Sequence, residues 1–244
     1  MNTTLDYRID GDDFQYVQVT LPQNDAVRAE PGAFVWMEQG IEMETSTGGG
    51  LLSGLKRMIG GESFFVTTFT NQGGRPATVA FAAPYPGKVL PMDLSQGTLL
   101  CQRDSYLCST TDVQISVAFT RRFGAGLFGG EGFMLQRLEG RGTAFIHASG
   151  SVVERRLAAG EMLRVDTGCI VAMDEAVDYD IQMVRGVKSF LFGGEGLFFA
   201  VLRGPGRVWL QTLPFSRLAT RMMAASGGRT EQGGLLGGLL QGDD

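Results

Sequence analysis

Phe128-Gly129-Gly130-Glu131-Gly132-Phe133-Met134 decides how this chain is read, because its Gly-Gly-Glu signature stands twice more. It occurs as Gly60-Gly61-Glu62-Ser63-Phe64-Phe65 and as Gly193-Gly194-Glu195-Gly196-Leu197-Phe198, 69 residues before and 64 after the central copy. A fixed offset to an apolar pair in all three copies marks an internal repeat, which has to be recognised before any single element is assigned.

The match extends outward from each copy. Upstream stand the alternating stretches Ile41-Glu42-Met43-Glu44, Val113-Gln114-Ile115-Ser116-Val117 and Tyr179-Asp180-Ile181-Gln182-Met183. Period-two alternation predicts half-buried strands. Before these lie the short apolar runs Phe34-Val35-Trp36-Met37, Tyr106-Leu107-Cys108 and Cys169-Ile170-Val171-Ala172-Met173, each predicted as a further strand. Downstream, Val66-Thr67-Thr68-Phe69-Thr70, Leu135-Gln136-Arg137-Leu138 and Phe199-Ala200-Val201-Leu202 run into turns at Gly73-Gly74, Gly140-Arg141-Gly142 and Gly204-Pro205-Gly206. A last strand closes each copy, at Ala77 to Phe81, Thr143 to His147 and Arg207 to Gln211. Short strands divided by Gly and Pro turns predict an all-β protein: three tandem β modules in a pseudo-threefold arrangement, double-stranded β-helix or jelly-roll-like.

The expected organisation is a single all-β domain over 1–228, with repeats at about 13–95, 96–157 and 158–216. A short C-terminal helix is expected over 216–226, where Ser216 can cap, Leu218 and Met222 share a face, and Gly227-Gly228 ends the run. Residues 229–244 read as a flexible Gly/Leu-rich tail whose leucines give it a reason to dock.

Composition narrows the function. With 244 residues and a formal net charge of −5, a dominant nucleic-acid surface is disfavoured, since phosphate binding relies on clustered Lys and Arg. The acidic N-terminal stretch from Met1 to Asp10 lacks the apolar core of a signal peptide and the Arg-rich, acid-poor character of a transit peptide, so Asn2-Thr3-Thr4 is not read as a glycosylation site. No apolar run reaches the roughly 18 residues of a spanning helix. A cytoplasmic location, with peripheral membrane contact as an option, is the expectation. Cys101, Cys108 and Cys169 have neither CxxC spacing nor an even count and read as buried free thiols.

The stretch from Gly48-Gly49-Gly50 through Phe65, the repeated Phe-Gly-Gly-Glu-Gly of 128–132 and 192–196, and the Gly-Leu-rich tail resemble a bacterial and archaeal family related to the altered-inheritance-of-mitochondria (mitochondrial biogenesis) proteins. The resemblance covers nearly the whole chain. It implies a double-stranded β-helix-like fold similar to the tryptophan RNA-binding attenuation protein, with oligomerisation, and implies no established enzyme activity. Its eukaryotic members are linked to mitochondrial inner-membrane organisation.

The candidate binding residues are the three loops Gly60, Gly61, Glu62; Gly129, Gly130, Glu131; and Gly193, Gly194, Glu195. Two glycines permit close backbone approach and the carboxylate can accept loop N–H groups, which serves a tight connection as well as it serves a ligand. Basic residues flank each copy: Lys56 and Arg57, Arg121 and Arg122, Arg185 and Lys188. Leu55, Met58, Ile59, Leu127, Phe128, Phe190, Leu191 and Phe192 lie among them. Apolar loops beside cations can enter an anionic lipid surface, or a subunit interface.

Other motifs carry less. The Gly124 to Gly129 stretch matches GxGxxG, but a dinucleotide fingerprint needs a helix after it, and a strand is predicted. His147, the single histidine, cannot assemble a cupin-type metal site, and reads as a satisfied structural residue. Trp36 and Trp209 read as core. No catalytic residue, metal site or cofactor is identified. The leading expectation is a non-enzymatic, homo-oligomeric scaffold or binding protein that meets a membrane surface or a protein partner. An RNA-binding protein is the alternative, suggested by a basic set in which only Lys56, Lys88 and Lys188 are lysines, and a small-ligand-binding barrel or enzyme is the third.

Overall fold

The computed structural model describes residues 5–47, 65–121, 133–183 and 198–226. They form an all-β protein with one C-terminal helix. The strands are β1 (Asp6–Asp10), β2 (Tyr16–Leu21), β3 (Ala26–Ala29), β4 (Phe34–Met37), β5 (Ile41–Thr47), β6 (Phe65–Asn71) and β7 (Ala77–Ala82). Then come β8 (Gly87–Asp93), β9 (Leu99–Gln102), β10 (Tyr106–Thr110), β11 (Gln114–Arg121), β12 (Phe133–Glu139) and β13 (Thr143–Ser149). The chain closes with β14 (Val152–Leu157), β15 (Met162–Asp166), β16 (Ile170–Asp174), β17 (Asp178–Met183), β18 (Phe198–Arg203), β19 (Gly206–Gln211) and the helix α1 (Phe215–Ser226).

The strands build four antiparallel sheets, ordered β1-β2-β7-β4, β5-β6-β3-β10-β13-β8, β11-β12-β9-β16-β19-β14 and β15-β18-β17. The third order is the second advanced by six strands throughout, and the β2-β7-β4 and β15-β18-β17 groups fit the same progression at either end. Each of the two six-stranded sheets therefore joins three strands of one stretch of chain to three of the next.

Three apolar clusters fill the spaces between successive sheets. Val17, Val19, Val79 and Phe81 of the first sheet meet Val27, Phe69 and Phe145 of the second. Met92, Ala144 and Ile146 of the second meet Leu99, Val171 and Trp209 of the third. Leu135, Ile170 and Met173 of the third meet Val165, Ile181 and Leu202 of the fourth. β13 shows how one strand serves two cores. Phe145 faces the first, while Ala144, Ile146 and Ala148, on the opposite side of the pleat, face the second. A strand covered on both faces loses its polar alternation and reads as a continuous apolar run.

Local chemistry sets the corners. In three places a strand turns through a short 3-10 segment, Pro31–Ala33, Arg103–Ser105 and Thr167–Cys169, into the strand that follows. The Glu30 carboxylate accepts the Gly32 N–H at 3.1 Å and Asp166 accepts that of Gly168 at 2.9 Å, satisfying donors the turn would leave open. At the β12–β13 turn Gly140 has φ +132, and a Cβ there would lie 2.3 Å from the Asp112 carbonyl oxygen, so glycine is required. At the β6–β7 turn the buried Asn71 amide instead donates to the Leu21 and Arg75 carbonyls at 2.8 and 2.9 Å.

Twelve strands coincide with runs predicted from the sequence. Three side-chain expectations are corrected. Trp209 is core, packed under the Arg207 guanidinium at 5.0 Å from its ring, but Trp36 is over a third exposed, because β4 is the outer strand of its sheet. Ser216 is the second residue of α1 and not its cap: the Pro214 carbonyl takes the first bonds, from the N–H groups of Arg217 and Leu218. His147 is structural but not satisfied, as described below.

Candidate functional site

Each Gly-Gly-Glu copy lies in the connection of one two-stranded ribbon. β5 and β6 pair as far as Thr47↔Phe65, β11 and β12 as far as Arg121↔Phe133, and β17 and β18 as far as Met183↔Phe198. The inner strand of each ribbon sits in the same register on its neighbour: Thr67 faces Ala29, Gln136 faces Cys101 and Ala200 faces Val165. Glu62, Glu131 and Glu195 each precede that reference residue by five positions. The repeated sequence motif and the repeated ladder are thus in phase.

Gly60, Gly61, Glu62, Gly129, Gly130, Glu131, Gly193, Gly194 and Glu195 lie outside the described residues, as do Lys56, Arg57, Arg122, Arg185 and Lys188. So do the GxGxxG stretch and the tail from 227 onward. Arg121 is placed by its backbone, as the last paired residue of β11.

Beside the strands of the second and third ribbons, a cleft of about 390 Å³ is lined by Leu100, Ala118, Arg137, Glu175, Asp178 and Tyr179. The Arg137 guanidinium meets the Glu175 carboxylate at 2.7 Å across its mouth, a half-exposed pair of the kind that contributes up to about 1 kcal/mol. Phe119 packs edge-on against Tyr179 at 5.4 Å, and burial raises the Tyr179 phenol above its ordinary range. The cleft offers charge and an aromatic wall, but sequence reading had no signal for it, since its residues come from β9, β11, β12, β17 and the β16–β17 turn.

His147 sits on β13 at 2% exposure, with no protein partner for either ring nitrogen. Its ring fills the space that a side chain at Gly87 would need, 2.6 Å from an ideal Cβ there, and packs edge-on against Tyr85 at 4.9 Å. Burial lowers its pKa to about 4, so the imidazole is neutral at pH 7. Tyr85 donates from its hydroxyl to the Asp104 carbonyl at 2.8 Å and stacks on Phe215 of α1, which closes this corner. A neutral histidine held by packing has no acceptor or nucleophile in hydrogen-bond reach and fills volume.

Among the described residues no group of three or more His, Cys, Asp or Glu could hold a metal, and no helix is long and apolar enough to cross a membrane. The three cysteines are free; Cys101 and Cys108 are buried, Cys169 is half-buried, and desolvation raises all three thiols above their ordinary range. In native protein, a maleimide is expected to label Cys169 slowly and Cys101 and Cys108 only after unfolding. Mass spectrometry of the labelled chain reads this directly, and native labelling of Cys108 would contradict the burial of β10.

The fold recurs in a solved structure. The X-ray crystal structure of a Streptococcus pyogenes protein from a structural genomics programme superposes with a TM-score of 0.74, at 24% identity, over 91% of this chain and 99% of that one. No curated protein matches the chain. A family model described as mitochondrial biogenesis AIM24 matches residues 7–213, from the second residue of β1 to two residues past the end of β19. By that match the chain belongs to the mitochondrial biogenesis AIM24 family.

Proposed function

We propose that this protein is a non-enzymatic binding scaffold in which one strand-rich unit occurs three times, so that three Gly-Gly-Glu ribbon connections are offered together to a partner. The observation that carries the reading is the common five-residue offset of Glu62, Glu131 and Glu195 from Thr67, Gln136 and Ala200, at equivalent ladder positions. Further support comes from the six-strand advance in sheet order, and from unit boundaries near 95 and 157, which fall in the β8–β9 and β14–β15 connections. A double-stranded β-helix-like unit, a homo-oligomeric state and a cytoplasmic location belong to the same reading.

The partner proposed is an anionic membrane surface. Lys56-Arg57, Arg121-Arg122 and Arg185 with Lys188 place cations beside Leu55, Met58, Phe128, Phe190 and Phe192, the combination that inserts shallowly into charged headgroups. In flotation, the full chain is expected to rise with phosphatidylserine-containing vesicles and to remain at the bottom with neutral ones. Lys56→Glu with Arg57→Glu is expected to weaken binding by more than about tenfold, at about 1 kcal/mol per cation removed. Equal recovery on neutral vesicles, or none on either, would overturn the membrane as partner.

A further inference from the structure

One ribbon departs from the other two. The β5–β6 and β17–β18 ladders run without a shift, whereas β11–β12 jumps from Val117↔Gln136 to Phe119↔Leu135 and leaves Ala118 as an extra residue. This bulge puts Phe119 opposite Leu135, where the corresponding pairs are Ser46↔Val66 and Gln182↔Phe199. Bulges re-aim side chains and gather beside functional sites. Here Ala118 lines the Arg137–Glu175 cleft, and Phe119 backs its Tyr179 wall edge-on at 5.4 Å.

The repeat itself shows whether the fold needs the cleft's charges. Thr68 follows Thr67 as Arg137 follows Gln136, and Gln114 stands opposite Glu139 as Asp178 stands opposite Arg203. The β10–β11 and β16–β17 turns close alike, with the Val113 N–H on the Thr110 carbonyl at 3.2 Å and the Val177 N–H on that of Asp174 at 3.0 Å. One unit earlier, therefore, Thr68, Thr111, Gln114 and Ile115 hold the positions of Arg137, Glu175, Asp178 and Tyr179, and Arg28 holds that of Leu100. The β3–β10 and β9–β16 junctions form in the same register, yet the earlier five positions carry no carboxylate. Folding of this junction does not require the charged set.

We propose that this cleft binds a small aliphatic amino-acid zwitterion, with its carboxylate on Arg137, its ammonium on Glu175 and Asp178, and its stem against Leu100, Ala118 and Val177. A guanidinium presents five N–H donors in a fork, more than the single Glu175 oxygen at 2.7 Å takes up, so Arg137 can hold a second carboxylate. Asp178 meets Arg203 at 3.1 Å in an exposed pair of the weak kind, which an incoming ammonium can join. Leu100 and Val177 are buried and supply the apolar lining. A plain anion would meet two carboxylates there and a plain cation would meet Arg137, so one molecule carrying both charges fits best. The volume of about 390 Å³ lies within the usual span of small-ligand sites, roughly 300–1,000 Å³. The proposal uses the ladder equivalences of the three units and is independent of the membrane as partner.

Calorimetric titration of the full chain at pH 7 tests this with three molecules of one stem: L-leucine, isoamylamine, which lacks its carboxylate, and 4-methylpentanoate, which lacks its ammonium. L-Leucine is expected to saturate one site per chain with a Kd of about 1 mM or tighter, and each single-charge analogue to bind at least about tenfold more weakly. Arg137→Gln is expected to weaken L-leucine by about tenfold and leave isoamylamine unchanged, while Glu175→Gln weakens L-leucine and leaves 4-methylpentanoate unchanged. Urea midpoints of both variants should stay close to wild type, since the bridge is half-exposed, and this separates lost binding from lost folding. No saturation by L-leucine, equal binding of all three molecules, more than one site per chain, or variants that bind as wild type does would each overturn the proposal. A chain that binds L-leucine but ignores anionic vesicles would keep this site and remove the membrane reading alone, and the converse result would do the reverse.

Discussion

Phe145→Ala is expected to destabilise the protein by about 3–5 kcal/mol, the range for deleting a fully buried aromatic ring. Phe145 is 0% exposed, takes Tyr7 edge-on at 4.9 Å, and projects into the first core from a strand whose other face lines the second. The cavity cannot close by moving β13 toward the first core without withdrawing Ala144 and Ile146 from the second. Urea denaturation measures the loss as a lower midpoint at unchanged slope. Val153→Ala, on the solvent side of β14, is the control and should stay within about 0.5 kcal/mol of wild type. A loss under about 1 kcal/mol for Phe145→Ala would mean that the two cores do not share this wall.

The second large effect is on acid stability. The native pKa of His147 is lowered to about 4, against 6.5 for a free histidine, so the unfolded chain takes up the proton first as pH falls. Above pH 6.5 both states are neutral at this site and it adds no pH dependence. Between pH 6.5 and 4 the unfolded state binds more protons, and stability falls by about 1.4 kcal/mol per pH unit, to a total near 3 kcal/mol. Below pH 4 the native state is protonated as well and the dependence ends. His147→Leu removes the titrating group, so the stability difference should shift in the variant's favour by about 3 kcal/mol from pH 7 to 4. Parallel pH profiles for the two proteins would contradict a buried, unpartnered imidazole.

What could be read from the residues alone divides along physical lines. β5, β11 and β17 alternate because one face is wet, and β6, β12 and β18 were found through the Gly-Gly-Glu offset. β14 and β15 were hidden by Arg155-Arg156 and Arg164, and β8 by Lys88 and Pro91, since an outer or half-covered strand tolerates charge and proline. Trp36 shows the deeper reason. Phe34-Val35-Trp36-Met37 is as apolar as Tyr106-Leu107-Cys108, and local pattern predicts equal burial for both. Burial differs because β10 receives β3 from an earlier stretch of chain and β4 receives no strand among the described residues. No local pattern encodes that. Of the candidate site, the repeat and its spacing were legible, whereas the Arg137–Glu175 cleft draws its residues from separate strands and left no linear trace.

The braiding of successive stretches into common sheets bears on how the chain is made. When translation has delivered residues up to 82, β3 has found β6, but the place beside it that β10 will take is vacant. Half a sheet with one naked flank must then wait about thirty residues for β10, and sixty or so for the β13 that covers β10 in turn, so a nascent intermediate is sticky until later segments arrive. Proteolysis of stalled chains ending before and after residue 149 would time this directly. Duplicating whole units leaves such a waiting step of constant length, while inserting or losing a fraction of one would lengthen the exposure.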